Sequence, residues 1–176
     1  MSLSLGAPCP PFALPGTDGA SHTLGSFAEA KILVVIVSCN HCPYVVAYEE
    51  RIVALSREYK PKGVAVVAIN ANDVGRYPDD GMPAMVARAE LRGFDFPYLR
   101  DDPQDVVRAL GARFTPEVFV FDSARALRYH GRIDDNYRDP SNVKSPDLKR
   151  ALDALLAGGA PPATETSPVG CSIKWK

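Results

Sequence analysis

Ile32-Leu33-Val34-Val35-Ile36-Val37-Ser38-Cys39-Asn40-His41-Cys42-Pro43 is an apolar run that ends in a pair of cysteines. Its consecutive β-branched and leucine side chains read as a strand buried on both faces, over residues 31–37. From about residue 42 to 59 the pattern changes. Val45, Tyr48, Ile52 and Leu55 repeat at three- and four-residue spacing, while Glu49, Glu50, Arg51 and Arg57 fall elsewhere, as on an amphipathic helix. The cysteines therefore lie where a strand gives way to a helix. There the unpaired backbone N–H groups and the positive end of the helix dipole are expected to favour a thiolate on the first cysteine, Cys39. Three residues is close to one turn, so the two sulfurs face the same way and can bond to each other. Pro43 falls just inside the helix, where its missing N–H costs nothing. The expected chemistry is redox, with Cys39 at the exposed helix start attacking and Cys42, one turn deeper, resolving the mixed disulfide. A buried structural pair is the alternative.

Working outward, residues 6–30 are rich in Gly and Pro, and Gly16-Thr17-Asp18-Gly19 is a turn between two short apolar fragments, hence an N-terminal hairpin. Lys60-Pro61-Lys62-Gly63 ends the helix, and Val64 to Ile69 is a second buried strand, parallel to the first through a right-handed crossover. A loop over 70–81 precedes a helix near 83–91, a short strand at 97–99 and a short helix at 103–110. Residues 117–121 and 126–131 form a hairpin, and 148–156 the last helix. The reading is one domain over 1–157 and an extended or mobile tail over 158–176. Residues 158–170 are too rich in Pro and Thr to pack, whereas Cys171, Ile173 and Trp175 gain by leaving water and are expected to dock.

Length and composition narrow the classes. The chain has 176 residues, 46% hydrophobic and 23% charged, as in an ordinary globular domain. A net charge of −1 gives no basis for nucleic acid or an anionic membrane as partner. No apolar window is long enough to span a bilayer, and the N-terminus lacks the features of a signal peptide, so the expected location is cytoplasmic. Four cysteines are too few for a disulfide scaffold, and a Cys-x-x-Cys after a strand in such a chain is catalytic or metal-binding. Cys9 has no partner by spacing.

The order strand, Cys-x-x-Cys helix, strand, helix, hairpin, helix resembles the thioredoxin fold. Gly6-Ala7-Pro8, Phe12-Ala13-Leu14-Pro15, Gly19 and Leu24 resemble the opening of its redoxin (AhpC/TSA-like) branch, over about residues 5–157. The resemblance implies an α/β fold with a central mixed β-sheet flanked by helices and an N-terminal hairpin extension. It also implies a cis Thr115–Pro116 bond that leaves the Thr115 backbone free to pair with a substrate segment, and a thiol–disulfide oxidoreductase acting on protein or small-molecule disulfides. The partners are then a disulfide- or thiol-containing substrate and an external thiol reductant, with no cofactor.

Topology brings four segments to the dithiol edge: 39–44, 70–81, 113–116 and 131–140. Asp73, Asp134 and Asp135 are the carboxylates so placed for proton transfer, or else solvated loop acids. His41, if cationic, favours the thiolate, as in the periplasmic dithiol oxidases it resembles; Asn40 has no comparable electrostatic role. Cys171 is a candidate third redox thiol. Two alternatives remain. A peroxidase of the family carries Thr and Pro where this chain has Ile36 and Ile32, which removes the peroxide-polarising hydroxyl. A copper- or zinc-binding carrier would use both cysteines and a distant His, for which His130 can be nominated, but no metal site is expected.

Overall fold

The computed structural model describes residues 1–176. A short hairpin, β1 (Ala13–Pro15) and β2 (Ser21–Thr23), buries Leu14 and leads into β3 (Ile32–Ser38). Helix α1 (Pro43–Tyr59), β4 (Val64–Asn70), α2 (Met82–Arg92) and β5 (Tyr98–Arg100) follow. Then come α3 (Asp105–Leu110), β6 (Phe114–Thr115), β7 (Glu117–Phe121), β8 (Leu127–Gly131), α4 (Asp147–Leu156) and β9 (Cys171–Ser172). The central sheet has the order β5-β4-β3-β7-β8, with β3, β4 and β5 parallel and β7 antiparallel to both β3 and β8. This is the mixed α/β architecture that the sequence predicts.

Alternation along β3 divides the interior. Ile32, Val34 and Ile36 face a core built with Tyr48, Ile52 and Leu55 of α1, Met85 of α2 and Leu148 and Leu152 of α4. Leu33, Val35 and Val37 face the other core, closed by Phe12 and Leu14 of the N-terminal segment, Val107 and Leu110 of α3, and Ile173 of the tail. A strand buried on both faces has no polar alternation, which is why its sequence is a continuous apolar run.

Three expectations are corrected. Glu49, assigned to the outer face of α1, is only 2% exposed and is gripped by Arg88 and Arg92 of α2 at 2.7–3.1 Å. The helix after β5 begins at Asp105 rather than 103, because Gln104 takes a left-handed conformation (φ 67°) that breaks the helical path. The tail packs along much of its length. The His130 N–H donates to the Thr164 carbonyl and the Thr166 N–H to the His130 carbonyl, both at 3.0 Å, so residues 164–166 cover the outer edge of β8. Gly131 permits this approach: a Cβ there would lie 2.1 Å from Thr166 Oγ1. An open sheet edge supplies backbone partners whatever the side chains, which is what the composition of 158–170 does not convey.

Candidate active site

Helix α1 starts at Pro43, with Cys42 as its N-cap residue. Cys39 therefore sits one turn before the helix rather than at its first residue, and it is 3% exposed against 1% for Cys42. Both thiols are free. The cis Thr115–Pro116 peptide lies across them, with Thr115 Oγ1 at 3.5 Å from Cys39 Sγ and the Thr115 carbonyl at 3.2 Å from Cys42 Sγ.

The two sulfurs pack in one small cluster beneath this peptide. The hydrogen bond to Cys42 and burial hold the Cys39 thiol well above the ordinary cysteine range, and the Asp80 carboxylate adds to this. The same hydrogen bond, now received, holds Cys42 below that range, helped by the Cys171 thiol and by the backbone N–H groups of Val45 and Cys171. The Thr115 carbonyl works the other way, taking the S–H of Cys42 when that thiol is protonated. Of the two sulfurs, that of Cys42 belongs to the N-cap residue of α1 and so lies nearer the positive end of the helix dipole, although it makes no capping hydrogen bond.

Asp80, wholly buried at the end of a tight 3₁₀ turn over Pro78–Asp80, is the carboxylate beside the dithiol. It accepts from the Asn40 N–H at 2.7 Å, Asn72 Nδ2 at 2.9 Å and Asn70 Nδ2 at 3.0 Å, and meets His41 Nδ1 at 2.8 Å. These donors satisfy the oxygens of a carboxylate that has no access to water. The His41 ring stacks on Tyr77 at 5.6 Å with its side chain 37% exposed. Asn40 fixes the loop: its amide donates to the Asp79 carbonyl, and its Oδ1 accepts from the Tyr98 hydroxyl at 2.8 Å.

The three carboxylates nominated from the sequence are held elsewhere. Asp73 pairs with Arg76 at 2.9 Å and caps the Gly75 N–H. Asp134 accepts from the Tyr48 hydroxyl and from Arg51, each at 2.8 Å, tying loop 131–140 to the flank of α1. Asp135 caps the Lys144 and Ser145 N–H groups. Loop 70–81 does reach the dithiol, through Asp80, and 113–116 through Thr115, but 131–140 reaches only its rim, where Tyr137 packs on Tyr44 at 4.4 Å. In the sequence Asp79 and Asp80 are alike; only Asn70 and Asn72, polar residues at the end of a buried strand, hint at a carboxylate to receive them.

The Thr115 backbone is not free. Strand β9 pairs antiparallel with β6, Thr115 opposite Cys171 and Phe114 opposite Ser172. Cys171 packs in one cluster with Cys39, Cys42 and Val45. Cys9 is buried in the opposite core, where burial pushes its thiol up to about 12. His130 is bound to Glu117 at 2.6 Å and stacks on Phe119, while Ile32 and Ile36 are buried in the core under α1.

No curated protein matches the chain. Among solved structures, an uncharacterized conserved protein from Geobacillus kaustophilus is 40% identical, with a TM-score of 0.93 over 98% of this chain and 93% of that one. A hypothetical protein from Sinorhizobium meliloti 1021 is 37% identical, with a TM-score of 0.94 over 100% of this chain and 97% of that one. The thioredoxin domain of a thiol-disulfide oxidoreductase from Bacteroides vulgatus shares the fold at 17% identity, with a TM-score of 0.59 over 72% of this chain and 86% of that one. No helix is long and apolar enough to cross a membrane. Residues 4–151 match the Redoxin family, so a thioredoxin-like sheet carrying two adjacent thiols belongs to a thiol redox protein, and the chain is a member of the Redoxin family.

Proposed function

We propose that this protein is a thiol–disulfide oxidoreductase that cycles Cys39 and Cys42 between dithiol and disulfide. The observation that carries the reading is the pair of buried, adjacent thiols before the start of α1, under the cis Thr115–Pro116 peptide. Cys39 makes the first attack. Its proton passes to the adjacent Cys42, and the Thr115 hydroxyl, 3.5 Å from Cys39 Sγ, stabilises the thiolate left behind. Cys42, hemmed in by Val45, Thr115 and Cys171, then resolves the mixed disulfide. Electrons come from an external thiol, and no cofactor takes part. A hollow of about 360 Å³ lined by Asn40, His41, Asp79, Ala84, Arg88 and Leu91 opens beside the loop and offers the approach. With β9 on β6, an extended polypeptide cannot add to the Thr115 edge, which favours a compact disulfide substrate.

Trapping with a model disulfide tests the roles. Cys42→Ser should accumulate a mixed disulfide on Cys39, and Cys39→Ser should not; equal trapping in both variants rejects the assignment. The reduction potential gives the direction of flow: near about −270 mV means a reductase, near about −120 mV an oxidant. Peroxide turnover is expected to be weak, since Ile36 offers no hydroxyl to polarise the peroxide.

One observation favours a second reading. Donor atoms of Cys39, His41 and Asp80 lie within 4.8 Å of one another, a sulfur, nitrogen and oxygen set suited to zinc. Titrating the reduced protein with Zn²⁺ separates the two. Stoichiometric binding that blocks alkylation of Cys39 supports a metal carrier, and its absence leaves the oxidoreductase.

A further inference from the structure

Three of the four thiols meet at one place, and the third is brought there by the tail. Gly170 passes so close to β6 that a Cβ would lie 2.3 Å from the Thr115 carbonyl oxygen. Beyond Cys171, the Ile173 side chain is 4% exposed in the core. The Lys174 N–H donates to Asn72 Oδ1 at 2.9 Å, and its carbonyl accepts from the Asp73 N–H at 2.8 Å and Gln104 Nε2 at 3.1 Å. Arg108 lies over the Trp175 ring at 4.4 Å. Cys171 is thus held on both sides, opposite Thr115 in the β6–β9 pair and packed against Cys39, Cys42 and Val45. It is also the most exposed thiol of the three, with Cys39 and Cys42 sealed from water.

We propose that Cys171 is a third redox thiol, which takes the disulfide from Cys39 by attacking Cys42 and is the point where the external thiol delivers electrons. The proposal rests on the Cys39–Cys42 couple proposed above. In the oxidised protein Cys171 gives its proton to water and its thiolate attacks Cys42 Sγ. The Cys42–Cys171 bond forms as the Cys39–Cys42 bond breaks, and the electron pair leaves on Cys39 as a thiolate beside the Thr115 hydroxyl. This step is an exchange with no net oxidation. An external thiol then attacks Cys171 Sγ, Cys42 leaves as a thiolate, and a second thiol frees Cys171, so two electrons enter as one external disulfide leaves. The electrostatics time the exchange. In the dithiol, burial and the Cys42 contact push the Cys171 thiol up to about 11. Oxidation of Cys42 removes its charge, while the Lys174 ammonium still favours the Cys171 thiolate.

The test is disulfide mapping after diamide oxidation and acid quench, followed by reduction with glutathione. Wild type should yield both Cys39–Cys42 and Cys42–Cys171 linked peptides, and Cys39→Ser only the second. Cys171→Ser should keep the Cys39–Cys42 disulfide but lose it to glutathione about tenfold more slowly than wild type. A Cys39→Ser protein that gives no Cys42–Cys171 link, or equal reduction rates with and without Cys171, overturns the proposal. Cys39→Ala serves if Cys39→Ser does not fold, and the rate comparison needs neither. Absence of a Cys39–Cys42 link in Cys171→Ser, where no exchange can consume it, would instead overturn the oxidoreductase reading.

Discussion

His41 and Asp80 pull the dithiol in opposite directions. Asp80 is fully buried and its charge disfavours a thiolate on Cys39, whereas a charged His41, 2.8 Å from Asp80, offsets that charge. A more stable thiolate stabilises the dithiol against the disulfide, so the reduction potential follows. His41→Pro should make the couple more reducing by tens of millivolts and Asp80→Asn less reducing, with about 30 mV corresponding to 1.4 kcal/mol. Potentials measured against glutathione check this, and shifts of the same sign in both variants would reject the opposed roles. Asp80→Asn should also speed alkylation of Cys39 at fixed pH. The place of the two cysteines between a strand and a helix was legible from the apolar run before them and the helical period after them, whereas the cis Thr115–Pro116 bond was implied by the family resemblance. Asp80 was not legible. Asp73, Asp79, Asp80, Asp134 and Asp135 all stand in polar loops, and what separates Asp80 is burial under three amide donors from residues 40, 70 and 72. That is a property of the folded loop, which no local pattern records.

Elements long enough to show a period were read correctly, and those made by a neighbour were not. Strands β3 and β4 and helix α1 each carry their own pattern, so their bounds fall within a residue or two of the expected ones. Strands β6 and β9 have two residues each and exist only because they pair with one another. The docking of residues 171–175 could be expected from Ile173 and Trp175, but the antiparallel register that puts Cys171 against Thr115 could not. Gly170 is the residue on which that register depends. Gly170→Ala places a methyl against the Thr115 carbonyl, and displaced backbone in a packed site costs about 1–3 kcal/mol. At roughly 2–4 °C per kcal/mol for a chain of this size, the melting temperature should fall by several degrees. Trp175, the only tryptophan, should then shift its emission to the red as β9 leaves β6. An unchanged spectrum and melting temperature would mean that the strand tolerates the methyl and that Gly170 is not what sets the approach.

Two cores pressed on the faces of one sheet leave the dithiol at the sheet's edge, so its protonation is tied to the stability of the entire chain. In the unfolded reduced chain both thiols titrate at an ordinary cysteine value of about 8.5. In the folded protein Cys42 is held below that value and Cys39 above it. As pH rises towards about 8.5, the folded state has already lost the Cys42 proton while the unfolded chain keeps both. The unfolded state then binds more protons, and raising the pH stabilises the reduced fold. Above about 8.5 the unfolded chain has lost both while the folded state retains the Cys39 proton, and raising the pH destabilises it. The contribution of Cys42 is present above the unfolded value and is lost as pH falls through the folded one; that of Cys39 is a penalty that grows above the unfolded value. Oxidised protein has neither thiol, and in a Cys171→Ser background, which removes the thiol whose titration follows Cys42, the other titrating groups are largely common to the two forms. The stability of reduced minus oxidised protein, from urea melts across pH 5 to 10, should therefore rise, pass through a maximum near about pH 8–9 and fall. A difference that is flat across this range would show that the two thiols titrate alike in the folded and unfolded chain.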